Sequence, residues 1–174
     1  MSQASKQVDW CLRKAQEEIA ECKKNGVKEK HRGLLKIKID NDEAKRHIEK
    51  AEHYLESTEY LLKGKFADIS VQTVFYSLYQ CFLAIAAKFG YESGNQTCTV
   101  SLIEFLIEEG KINLDNKFIK YFKYEEKEDT EDSVIEMREE YTYGTKVEAE
   151  KSKVNFLIEE CKELIDSTRD IVYK

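Results

Sequence analysis

ISVQTVFYSLYQCFLAIAA, residues 69–87, is nineteen residues without a charge in a chain where 36% of residues are charged. A helix over this stretch is apolar on nearly every face, and such a helix needs other helices wrapped around it. Gln72, Thr73, Ser77 and Gln80 interrupt the run, and Tyr76 and Tyr79 add hydroxyls. Inside a bilayer those groups would lack partners, so the stretch reads as the central helix of a helical bundle and not as a membrane span.

Composition supports that reading. A chain of 174 residues suffices for one domain that buries roughly two-thirds of its unfolded surface. It contains no proline and seven glycines, so no missing amide donor breaks a helix from within. The start, MSQASKQVDW, has no apolar run of the kind a secretory leader needs. Cys11, Cys22, Cys81, Cys98 and Cys161 form no CxxC pair, which predicts free thiols, a reducing cytoplasm and no zinc site. Glu104, Glu108 and Glu109 gather on one short segment, yet no Glu-x-x-His pair accompanies them, which disfavours a di-iron bundle. No metal, cofactor or membrane partner is expected.

Working outward from the central run, apolar spacing of three and four marks the flanking helices. Val8, Leu12, Ala15, Ile19 and Cys22 form the first, which Asn25-Gly26 ends. Ala44, Ile48, Ala51, Leu55, Thr58 and Leu62 form the second, with Asp40 and Glu43 as a reciprocal cap and Gly64 past its end. Asp68 is placed to cap the central helix. A short fourth helix is expected over 101–109 with Ser101-x-x-Glu104 as its capping box. Helical spacing resumes over 115–126 and 133–141 around an acidic loop. A long last helix carries Val147, Val154, Leu157, Ile158, Cys161, Leu164, Ile165, Thr168, Ile171 and Val172, with Thr145-x-x-Glu148 as its capping box.

Charge is unevenly spread. The chain is net −6, while Lys23 to Lys38 holds seven cations against Glu29 and is net +6. Lys28, Lys30, His31, Arg32, Lys36 and Lys38 are therefore the expected contacts for phosphate or nucleic acid. Solvated connector is the alternative reading of this strip. Within it, Leu35, Ile37 and Ile39 alternate with lysines at strand spacing. The segment is expected to lie extended over the bundle, with self-pairing across a dimer axis as the alternative.

The run AKRHIEKAEHYLESTEYLLKGKFADISVQTVFYSLYQCFLAIAAKFGY, followed by a short helix, an acidic loop, MREEYTYG and a long final helix, resembles the HEPN superfamily over roughly Asp40 to Tyr173. Gly64, Phe66 and the aromatics Phe75, Tyr76 and Tyr79 carry the likeness. The resemblance implies an all-α, antiparallel bundle of four to six helices, commonly dimeric and often encoded beside a nucleotidyltransferase as a toxin-antitoxin pair. Residues 1–39 then form an extension to a bundle core at 40–174.

Ribonucleases of that superfamily carry an Arg followed, after four to six residues, by a His near a late helix. A ribose 2′-hydroxyl attacking its phosphate needs a group titrating near neutral pH and a fixed cation. Arg138 matches the cation, but Tyr143, Gly144 and Thr145 stand where the His would be. A phenol of pKa near 10 is a poor base at pH 7. Arg46 and His53 match the spacing on the second helix, at positions expected to face solvent. The sequence thus favours a non-catalytic HEPN-like interaction module, a homodimer that binds nucleotide, RNA or a nucleotidyltransferase. A metal-independent ribonuclease toxin using Arg138 and Tyr143, and a purely structural bundle, are the alternatives.

Overall fold

A computed structural model describes residues 2–124 and 133–174; the acidic loop at 125–132 lies outside the described residues. The elements in order are α1 (Gln3–Lys24), β1 (Leu34–Lys36), α2 (Asn41–Lys63), α3 (Ala67–Lys88), β2 (Tyr91–Ser93), α4 (Gln96–Glu108), α5 (Lys117–Lys120), α6 (Val134–Tyr143) and α7 (Lys151–Tyr173). The fold is all-α apart from one two-stranded ribbon. Several helix starts are fixed by a side chain that accepts an otherwise unpaired backbone N–H. Asp40 accepts from the Glu43 amide at 2.8 Å, Asn95 from Cys98 at 2.8 Å and Ser133 from Glu136 at 3.3 Å.

The uncharged run is indeed the centre. Val71, Val74, Leu78, Cys81, Phe82 and Ile85 of α3 are completely buried, and α2, α4, α6 and α7 pack around them. Length and apolar character alone would suit α3 to a membrane, but its polar interruptions are used between helices. Ser77 donates to the Ala51 carbonyl at 2.7 Å, Thr58 to Thr73 at 2.8 Å, and Gln80 Oε1 lies 2.6 Å from His47 Nδ1. Each such bond is directional, so together they set how α2 and α3 align. Across the α3–α7 seam, the buried thiol of Cys81 lies beside Thr168 and that of Cys161 beside Ser77.

Several expectations are corrected. The Leu34–Lys36 segment neither lies alone on the bundle nor awaits a second copy: it pairs antiparallel with Tyr91–Ser93 of the same chain, Leu35 opposite Glu92. Asp68 falls in the first turn of α3, which has no side-chain cap. Helix α4 begins at Gln96, so Ser101 is a buried interior residue and Asn95 is the cap. Helix α7 begins only at Lys151, leaving Thr145 and Val147 outside it. Of the segment expected over 115–126, one turn, α5, is helical within the described residues.

The cysteines are also corrected. Cys22, Cys81 and Cys161 are free and buried, but Cys11 and Cys98 form a disulfide across 87 residues of chain. This bond joins α1 to α4, and α1 otherwise packs on α4 and β1 through Ala4, Val8, Ala15 and Cys22. Gly33 makes that packing close, since a Cβ there would stand 2.2 Å from the Cys11 carbonyl oxygen and 2.8 Å from the Ala15 nitrogen.

Candidate functional site

Helix α6 buries Val134, Ile135 and Met137 against the bundle, and this places Arg138 at the floor of a cleft of about 400 Å³. Gln96, Thr97 and Ser101 of α4, with Phe122 and Lys123, form the walls. The Arg138 side chain is only 15% exposed. Its guanidinium carbon sits 4.8 Å from the centre of the Phe75 ring, an arrangement in which the ring face stabilises the cation. One terminal nitrogen donates to Glu139 at 3.2 Å. The Nε–H is buried and has no hydrogen-bond partner among the described residues. A buried donor left unpaired costs about 1–3 kcal/mol, so this atom is set up to gain from an added acceptor.

The lining is balanced in charge, with Lys123 and Arg138 against Glu104 and Glu139. The first turn of α4 contributes Gln96 and Thr97, and a helix N-terminus carries partial positive charge. Lys123 donates to Glu104 at 2.7 Å, so its charge is largely offset. Tyr124 donates to the same Glu139 oxygen at 2.8 Å, and that hydrogen bond raises the pKa of the phenol above its usual value. No histidine lines the cleft.

The other expected site residues are dispersed. Tyr143 is the last residue of α6 and 77% exposed. Arg46 is exposed and paired with Glu43, whose hydrogen bond raises the guanidinium pKa, and His53 is exposed on the same helix with no contact to it. His31 leaves the basic strip. Its side chain is 7% exposed, Nδ1 accepts from the Gly33 amide at 3.3 Å, and Nε2 therefore donates to Glu92 at 3.1 Å. Lys28, Lys30, Arg32, Lys36 and Lys38 are all exposed. The α4 contribution to the cleft was missed because its only sequence signal is Asn95, three residues ahead of Cys98.

A second surface lies at one end of the bundle. Glu52 and Glu59 of α2 meet Arg169 and Lys162 of α7, so these helices are antiparallel. Lys88 and Ser77 of α3 meet Val172 and Cys161, so α3 and α7 run the same way. The end of α2 and the starts of α3 and α7 therefore share a pole, where α6 also leads into α7. Tyr60, Phe66, Ile69, Tyr143, Val147 and Phe156, all exposed, belong to these segments.

A central apolar helix, partners packed around it and a cation from a late helix over its paired aromatics define an all-α bundle with a ligand-sized cleft at its helix ends. The HEPN domain family matches residues 44–171 of the chain, which therefore belongs to the HEPN family. No curated protein matches the chain. The match begins inside α2, so α1, the disulfide's Cys11 and the whole basic strip lie outside it.

Proposed function

We propose that this protein is a non-catalytic HEPN module that holds a phosphate-bearing ligand, a nucleotide or an RNA segment, in the α4–α6 cleft. The observation that carries the reading is Arg138: mostly buried, seated on Phe75, with a donor that has no partner among the described residues. Charge-assisted hydrogen bonds to phosphate suit such a group. Catalysis of 2′-hydroxyl attack needs in addition a group placed to exchange protons near pH 7, and the cleft supplies a guanidinium, an ammonium, one phenol and two carboxylates, Glu104 and Glu139, that are already bonded to Lys123 and to Arg138 and Tyr124.

The test is binding of a fluorescent nucleoside triphosphate and a labelled RNA hexamer, with cleavage of the RNA followed in EDTA. Arg138→Ala is expected to weaken binding by about 10-fold to 100-fold, the equivalent of a hydrogen bond to a charged group, with no cleavage by either protein. Cleavage that disappears in Arg138→Ala would establish the ribonuclease reading in its place.

A second reading concerns assembly. Exposed aromatic and aliphatic side chains gathered at one pole favour self-association, because a contiguous apolar patch on a water-soluble surface marks an interaction site. Phe66→Ser with Phe156→Ser is expected to turn a dimer into a monomer by light scattering while leaving the circular dichroism spectrum unchanged. A monomer in the unaltered protein at high micromolar concentration would end this reading.

A further inference from the structure

We propose that the connector between α1 and α2 is a preformed track for the phosphate backbone of single-stranded nucleic acid, separate from the Arg138 cleft. Lys28, Lys30, Arg32, Lys36 and Lys38 are exposed and have no carboxylate partner among the described residues. Other cations without such a partner, Lys63, Lys111, Lys120 and Lys151 among them, are scattered along the chain, whereas these five fall together within residues 28–38. The strip's own acid, Glu29, is 3.5 Å from Lys23.

The strip is also held in place. Glu18 accepts from the Arg32 amide at 2.5 Å, Asn95 donates to the Arg32 carbonyl at 2.6 Å, and the Gly94 amide donates to Gly33 at 2.8 Å. The β1–β2 ribbon follows, and the Ile37 amide then donates to Gly90 at 2.9 Å. A Cβ on Gly94 would meet the His31 carbonyl oxygen at 2.3 Å, so this crossing too depends on a bare backbone. Anchored this way, the cations lose little backbone entropy on binding a ligand, unlike those of a loose linker.

Geometry and charge select the partner. Lys28, Lys30 and Arg32, and then Lys36 and Lys38, fall at every second residue, and where the chain is extended, at Leu34–Lys36, two residues advance about 6.6 Å, a spacing suited to a linear polyanion. Lys36 and Lys38 are both exposed and alternate with Ile37 and Ile39, so the two lysines fall on one side of the chain and can meet phosphate together. A broad anionic membrane would also face the acidic remainder of the molecule, which outweighs the strip to leave the chain net −6. A single strand is narrow enough to touch the strip alone.

The experiment measures fluorescence anisotropy of a labelled 20-nucleotide oligouridylate with the full chain, from 50 to 200 mM salt. Five phosphate contacts predict a log–log slope of about −3.5, a loss near 100-fold over that range. Changing Lys28, Lys30, Arg32, Lys36 and Lys38 together to Gln is expected to flatten the slope and weaken binding at 50 mM at least 30-fold. The five-site change is expected to flatten the slope by the same amount in an Arg138→Ala background, which separates this track from the cleft. A five-site variant that binds like the parent, or a parent that binds phosphatidylserine vesicles but not the oligonucleotide, would overturn the proposal. The altered side chains are all exposed, and an unchanged thermal midpoint verifies that the variant is folded.

Discussion

Breaking the Cys11–Cys98 bond lowers the unfolding free energy by about 4.6 kcal/mol, in the loop-entropy account of a cross-link that closes nearly ninety residues. Folding stabilities of single domains are about 5–15 kcal/mol, so a loss of this size is a large part of the total. Both cysteines are fully buried, so the bond is out of reach of solvent until the structure opens. Urea unfolding equilibrated with and without a dithiol reductant measures the effect. The reduced chain is expected to unfold at a clearly lower midpoint, and a Cys11→Ala, Cys98→Ala variant to give one midpoint in both conditions. Coincident midpoints in the parent chain would mean that the bond contributes nothing to stability. Loss of the bond acts first on α1, which packs mainly on α4 and β1, while the α2–α3–α7 core keeps its own contacts.

Phe82→Ala is the second large effect, at about 3–5 kcal/mol. Phe82 is fully buried on α3, with its ring centre 4.8 Å from that of Phe122. Truncation removes the ring's apolar contacts and leaves a void that the surrounding helices fill only in part. Phe156→Ala, on the exposed pole, serves as the comparison and is expected to change stability by less than about 1 kcal/mol. Chemical denaturation of both variants decides the matter, and a cost below that of Phe156→Ala would remove α3 from the centre of the core.

The central helix, α2 with its Asp40 cap and the stripe of α7 were legible because each is written in local spacing over several turns. What was not legible depends on distant partners. Three residues, Tyr91 to Ser93, carry no alternation of their own and become a strand only because Leu34–Lys36 lies beside them. Ser101-x-x-Glu104 and Thr145-x-x-Glu148 have the form of capping boxes, yet the first lies inside a buried helix and the second precedes an exposed Val147 with no stripe to cap. Cysteine spacing says nothing of which thiols meet when the chain segments between them fold back. Arg138 was marked by resemblance to the family, but the cleft above it is assembled from α4 and the Phe122–Lys123 turn, a purely tertiary event. His31 looked like a phosphate contact because its neighbours are basic. Its actual partner, Glu92, is sixty-one residues away.

Burial pushes the Cys161 thiol up to about 12 and holds Cys81 well above the ordinary thiol range. Alkylating reagents attack the thiolate, so neither sulfur reacts while α3 and α7 stay in contact. With Cys22, the third free thiol, replaced by Ala, a thiol reagent added to the native protein therefore records how often that seam comes apart. The molecule carries its own stopwatch, and its two hands sit where the core closes.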